Sequence, residues 1–143
     1  MPSDPRAGML SDRMDNLTED VLQALNARHA KFEDCLIRRV TLAFTATPQW
    51  RQVTVEIEAK DNRAADGWGQ VLFEFHGVEL FHLLEDRTTN VVLGGIEWTL
   101  TALGWKADFS PVHSEGSLST FIIEAQEVWF RSTPDGEPVQ IAP

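Results

Sequence analysis

Hydrophobic and polar positions alternate with a period of two along WGQVLFEFHGVELFHLLED, residues 68–86, with Val71, Phe73 and Phe75 on one parity and Leu72, Glu74 and His76 on the other. A pleated strand sends successive side chains to opposite faces, so the pattern is that of a half-buried antiparallel strand. The run RQVTVEIEAK repeats it: Val53, Val55, Ile57 and Ala59 alternate with Gln52, Thr54, Glu56 and Glu58, one face dry and the other acidic. In CLIRRVTLAF, Leu36, Val40, Leu42 and Phe44 share a parity opposite Arg39 and Thr41, with Ile37 as the exception. Thr47-Pro48-Gln49 between these two runs predicts a short turn, since proline cannot donate to a ladder. Gly77 predicts a bend or bulge before a continuation at Val78–Leu84. Further strands fall near 90–94, 96–102, 105–109 and 119–131, with Gly94-Gly95, Gly104 and HSEGSLS as the breaks.

Upstream the period changes. Thr18 followed by Glu19 and Asp20 is a helix start, with a hydroxyl to cap open N–H groups and acids at the positive end of the dipole. A helix over 18–32 follows, presenting Val21, Leu22 and Leu25 to a sheet and continued by Phe32. Residues 1–16, rich in proline and scattered charge, read as a weakly ordered leader, 17–132 as one domain, and 133–143 as a surface tail. The segment DNRAADGWG, residues 61–69, reads as an exposed loop. Helix and strand do not alternate, which argues against a parallel sheet. The expected fold is α+β: an N-terminal helix packed on a mostly antiparallel, strongly twisted sheet or flattened barrel, with meander connections.

Size and charge narrow the function classes. A chain of 143 residues is one domain long and can bury about two-thirds of its unfolded surface. The lone Cys35 cannot form an internal disulfide, and the first residues lack the apolar stretch of a secretory signal, so a cytoplasmic setting is expected. No run approaches the ~18 apolar residues of a membrane-spanning helix. The net charge of −10 is uneven: residues 1–34 carry −3, residues 35–66 carry +1 and residues 67–143 carry −8. Nucleic acid binding requires clustered cations, so an acidic chain argues against it. Basic proteins are instead attracted.

Several constellations carry residue types used in chemistry. Glu74, His76 and His82 share a parity, with Glu79 and Glu85 nearby, which raises a metal or acid/base site. The spacing lacks a second histidine pair, and a polar outer face opposite Val71, Phe73 and Phe75 is the preferred reading. Asp108, His113 and Ser117 or Ser119 are the types of a hydrolase triad, without the Gly-x-Ser-x-Gly turn that would present a serine. Cys35 has His29 upstream and Arg38 and Arg39 downstream, charges that would activate a thiol, yet a free cysteine at a helix-to-strand junction is ordinarily a packing residue. Among Trp50, Trp68, Trp98, Trp105 and Trp129, Trp68 between two glycines is the candidate exposed anchor and the others read mainly as core.

The order FEDCLIRRVTLAF, RQVTVEIEA and VLFEFHGVELFHL resembles small bacterial immunity proteins of polymorphic toxin systems and uncharacterised β-rich single-domain proteins like them. Phe75-His76-Gly77-Val78 matches their Phe-x-Gly-Val step, while Phe32-Glu33-Asp34-Cys35 approximates the residues that lead into their first strand. The resemblance spans about residues 32–130 and implies an α+β or β-rich fold and a binding role, and it carries no catalytic residue across. The expectation is therefore a non-enzymatic protein without a cofactor, docking a basic partner through Glu56, Glu58, Glu74 and Glu79 with Trp68 as anchor. The alternatives are a small-molecule-binding barrel with an aromatic-lined pocket and, third, a metal-dependent hydrolase using His76 and His82. Edge strands leave a homodimer open.

Overall fold

The computed structural model describes residues 14–45, 51–84, 91, 92, 94–110 and 120–132. The turn expected at Thr47–Gln49, the HSEGSLS break, most of the leader and the tail lie outside the described residues. The alternating runs become β2 (Cys35–Phe44), β3 (Arg51–Lys60) and β4 (Trp68–Leu84). The later runs become β5 (Val91–Val92), β6 (Glu97–Leu100), β7 (Trp105–Asp108) and β8 (Thr120–Ser132). A short β1 (Asp15–Asn16), inside the stretch read as leader, pairs with Phe130 and Trp129 of β8.

All of these join one sheet in the order β5-β2-β3-β4-β8-β7-β6, with every pairing antiparallel. Two three-stranded meanders, β2-β3-β4 and β6-β7-β8, meet along β4 and β8. The chain therefore departs from one continuous meander after β4. It returns to the far side of β2 as β5 and then crosses the sheet to begin β6 at the opposite edge. Among the described residues the two end strands are not paired with each other, so the sheet is open there and the flattened barrel is not supported. Crossing residues tie down on the way: the Asp34 N–H donates to the Val92 carbonyl (2.7 Å) and the Ile96 N–H to the Lys31 carbonyl (3.3 Å).

One face of this sheet is the core. Val53, Val55, Ile57, Val71, Phe73 and Phe75 are buried where the alternation put them, and Phe109, Phe121 and Ile123 extend the same cluster. Burying one such side chain contributes about 1.5–3 kcal/mol. Trp98 of β6 lies against Phe73 and Phe75, with ring centroids 5.2 and 6.1 Å away, so the far meander curls over the near one. At Gly77, in β4, φ is +67°, and the register with β8 slips between Val78 and Leu80. Both halves of the expected break thus belong to one strand, irregular where glycine admits a left-handed backbone.

The helix α1 (Glu19–Arg28) starts as its sequence predicts, with Thr18 Oγ1 accepting from the Val21 N–H. Leu25 and the preceding Leu17 join the core, with Val21 and Leu22 packed against it. It stops four residues earlier than expected. Ala30, Lys31 and Phe32 take φ of 55°, 58° and 63°, a left-handed turn in place of a last helical turn. This turn seats Phe32 between His29 and Phe73, with ring centroids 5.3 and 5.6 Å away. Burial of one ring overrides the local helical preference.

Candidate functional site

Polar side chains gather in two places: where α1 ends, and on the face of the sheet away from the core. At the first, Asp61 is 2% exposed and meets Arg28 through a two-pronged contact, Nε to Oδ1 at 2.9 Å and Nη2 to Oδ2 at 3.0 Å. The Arg63 N–H donates to the same Oδ1 at 3.0 Å. Burial by itself would raise the Asp61 pKa, and the bonds from Arg28 and Arg63 hold the carboxyl below its ordinary value. Asn62 closes the helix end, its N–H donating to the Arg28 carbonyl and its amide to that of Ala27. The 61–69 loop is thus exposed only in its middle, because Asp61 and Gly69 turn inward at its two ends.

His29 sits beside this pair, fully buried. A carbonyl oxygen only accepts, so Nδ1–H donates to the Lys60 carbonyl (2.8 Å) and the neutral ring's Nε2 accepts from the Ser132 hydroxyl (3.2 Å). Desolvation lowers the His29 pKa against the smaller pull of the Lys60 hydrogen bond. The helix end, β3 and the end of β8 are thereby joined through one ring. Cys35 next to this junction is also fully buried, and desolvation pushes its thiol up to about 12. An activated cysteine has a depressed pKa, so Cys35 is a packing residue despite its arginine neighbours.

The second place is the outer face of β3, β4 and β8. Direct cross-strand partners share a face, and the ladders set out rows: Arg39–Glu56–Leu72–Arg131, then Thr41–Thr54–Glu74–Trp129, then Ala43–Gln52–His76–Glu127. Glu58 faces Gln70, and Trp68 faces Lys60 on the same parity. Glu56, Glu58, Glu74 and Trp68 therefore fall on one face. Glu79 lies past the Gly77 irregularity, exposed, and accepts from Gln126 at 3.1 Å.

The charges on this face are not uniform. Glu56 and Glu58 stand 3.6 Å from Arg39 and Arg38. These pairs are largely exposed and contribute under about 1 kcal/mol each, but they offset the local negative field. Glu74 and Glu127 are held differently. His76 Nε2–H donates to Glu74 Oε1 at 2.7 Å, and Trp129 Nε1–H donates to Glu127 Oε1 at 3.2 Å. Each bond runs two residues along one strand, and Glu74 lies opposite Trp129 while His76 lies opposite Glu127. Acids occupy one diagonal of a two-by-two block and aromatic rings the other, the rings 6.3 Å apart.

Glu74 and His76 therefore belong to a polar outer face, and His82 lies beyond Gly77 opposite Ile122, six residues or about 20 Å further along β4. Among the described residues no three His, Cys, Asp or Glu side chains could hold a metal. Of the triad types, Asp108 bonds to Ser110, through both the N–H and the hydroxyl, while His113, Ser117 and Ser119 lie outside the described residues, as do Trp50 and Glu85. Trp105 is core, Trp98 packs against it, and Trp68 is 40% exposed at the start of β4.

Comparison with protein-family models, curated proteins and solved structures finds no match. No described helix is long and apolar enough to cross a membrane.

Sequence reasoning passed over Trp129 and Glu127 as a pair. Their signal was present: Trp129 has the parity opposite buried Val128 and Phe130, so a large ring was being placed on a face without core. The Arg28–Asp61 pair had no such signal, since 33 residues separate its members.

Proposed function

We propose that this protein is a non-enzymatic binding module of immunity type that docks a basic protein partner on the outer face of β3, β4 and β8. The observation that carries the reading is the convergence of Glu56, Glu58 and Glu74 on one sheet face, joined by Glu127 and flanked by Trp68. α1 and the crossing to β6 pack on the opposite face, leaving this one without a helix over it among the described elements. A chain of net charge −10 accelerates encounter with a basic partner, and the rim glutamates then govern association rate and salt sensitivity. An inhibitor of this kind acts by covering the surface its partner's substrate would use.

The test is affinity capture from a lysate of the native cell at low and high salt, followed by titration of the purified pair. The expected result is a basic protein retained at low salt and lost when Glu56, Glu58, Glu74 and Glu79 are changed together to Gln. Capture indifferent to salt and to these changes would rule the reading out.

A second reading, binding of a small apolar molecule, has one observation in its favour. Trp98 Nε1 is buried without an acceptor, in the ring cluster of Phe73, Phe75, Trp105 and Phe109. Indole N–H groups in such places ordinarily find a partner. A rise in melting temperature with a fatty-acid or apolar ketone probe, whose oxygen can accept from Trp98 Nε1–H, absent in Trp98→Phe, is the expected sign of it.

A further inference from the structure

We propose that the block formed by Glu74, His76, Glu127 and Trp129 is an arginine subsite, receiving one guanidinium from the docked partner. This rests on the docking reading above and narrows it to one place and one side chain. The half of the face bearing Glu56 and Glu58 already has its arginines, Arg39 and Arg38, at 3.6 Å. Across the block, no Arg or Lys among the described residues lies opposite Glu74 or Glu127; their cross-strand partners are Thr54 and Trp129 for Glu74, and His76 for Glu127.

Geometry favours arginine over lysine. Glu74 and Glu127 are diagonal neighbours across an antiparallel pair, about 7–8 Å apart at the backbone, a gap one guanidinium fork spans. Each carboxylate has one oxygen fixed by a ring N–H, His76 for Glu74 and Trp129 for Glu127, leaving Oε2 outside these bonds. The acceptors are thus oriented before a ligand arrives, which reduces the ordering cost of binding. Trp129 is half-buried on a face without a helix, an amphipathic ring on which a planar cation stacks. Arg131, two residues beyond Trp129 and opposite Leu72, is the other diagonal neighbour of Glu74 and has a partner of its own.

The experiment uses the full chain, 15N-labelled, titrated at low salt with a nine-residue arginine peptide and with its lysine counterpart. The Trp129 indole N–H resonance is assigned by its loss in Trp129→Phe, and circular dichroism verifies the fold of each variant. The expected result is a shift of that resonance by the arginine peptide, with affinity about five- to tenfold above the lysine peptide. Glu127→Gln should weaken the arginine peptide by about tenfold, and Glu97→Gln, exposed on β6 at the far edge of the sheet, by about twofold or less. Equal affinity for both peptides, or a Trp129 resonance that does not move on binding, overturns the subsite and leaves the docking reading standing. No binding of either peptide at low salt overturns both.

Discussion

Arg28 and Asp61, 33 residues apart in the chain, form a two-pronged ion pair at 2.9 and 3.0 Å where the helix ends against the sheet. Removing one member of such a pair leaves the other charge buried. Arg28→Ala is expected to destabilise the protein by about 3–5 kcal/mol, measured by urea denaturation. Gly69 gives an independent check. A Cβ there would stand 2.5 Å from Asp61 Oδ2, so Gly69→Ala must displace the carboxylate and cost about 1–3 kcal/mol. Because both changes act on one pair, the double variant should lose less than the sum of the two.

Stability should fall on mild acidification. His29 is held neutral in the folded state with a lowered pKa, so between that value and the ordinary 6.5 the unfolded chain binds the extra proton. The contribution is complete above pH 6.5 and declines as pH falls through 6.5 toward the folded value. Asp61, also lowered, adds a second loss, beginning below its ordinary 3.8. Melting temperature against pH should show the first decline in the native protein and a flatter profile between pH 5 and 7 in His29→Gln.

Cys35 sets the alkaline limit. Its thiol is raised from 9.0 to about 12 by burial, so above pH 9 the unfolded chain ionises while the folded chain does not, and stability falls as pH rises toward 12. At pH 8 the native protein should react with a thiol reagent only as fast as it opens. Immediate reaction without denaturant would show that the thiol is accessible.

The two faces of β4 should respond oppositely. Phe73 is fully buried, and Phe73→Ala is expected to cost about 3–5 kcal/mol. Glu74, next in sequence on the outer face, is expected to change stability by about 0.5 kcal/mol or less as Glu74→Gln while weakening capture of a basic partner. Denaturation and binding measured on the same two variants separate packing from recognition.

The strands were legible because a strand with one buried face needs only local alternation. Val53 to Ala59 and Val71 to Phe75 lie buried on the parity their sequence assigned, and Thr18 caps the helix as its hydroxyl and following acids predicted. Glu56, Glu58 and Glu74 were readable as outer-face residues for the same reason, though their convergence required knowing that β3 and β4 are neighbours. The helix end was misread, since nothing local marks Phe32 as the residue that must turn back into the core.

What the sequence by itself determined is the period of β3 and the first half of β4, the face their residues take, and the excess of negative charge in the later half of the chain. In β2, by contrast, a register shift between Ile37 and Arg39 puts Leu36 and Val40 on opposite faces, and Leu42 and Phe44 are exposed. Tertiary structure alone decided which strands adjoin. It placed β8 between β4 and β7, sent the chain across the sheet between β5 and β6, and left that sheet open among the described residues. It also decided which charges are compensated: Arg28 for Asp61, Arg39 for Glu56, and ring N–H groups for Glu74 and Glu127. The physical reason is range. Alternation is a property of neighbouring residues, whereas a register or an ion pair is selected by the free energy of burying distant segments together.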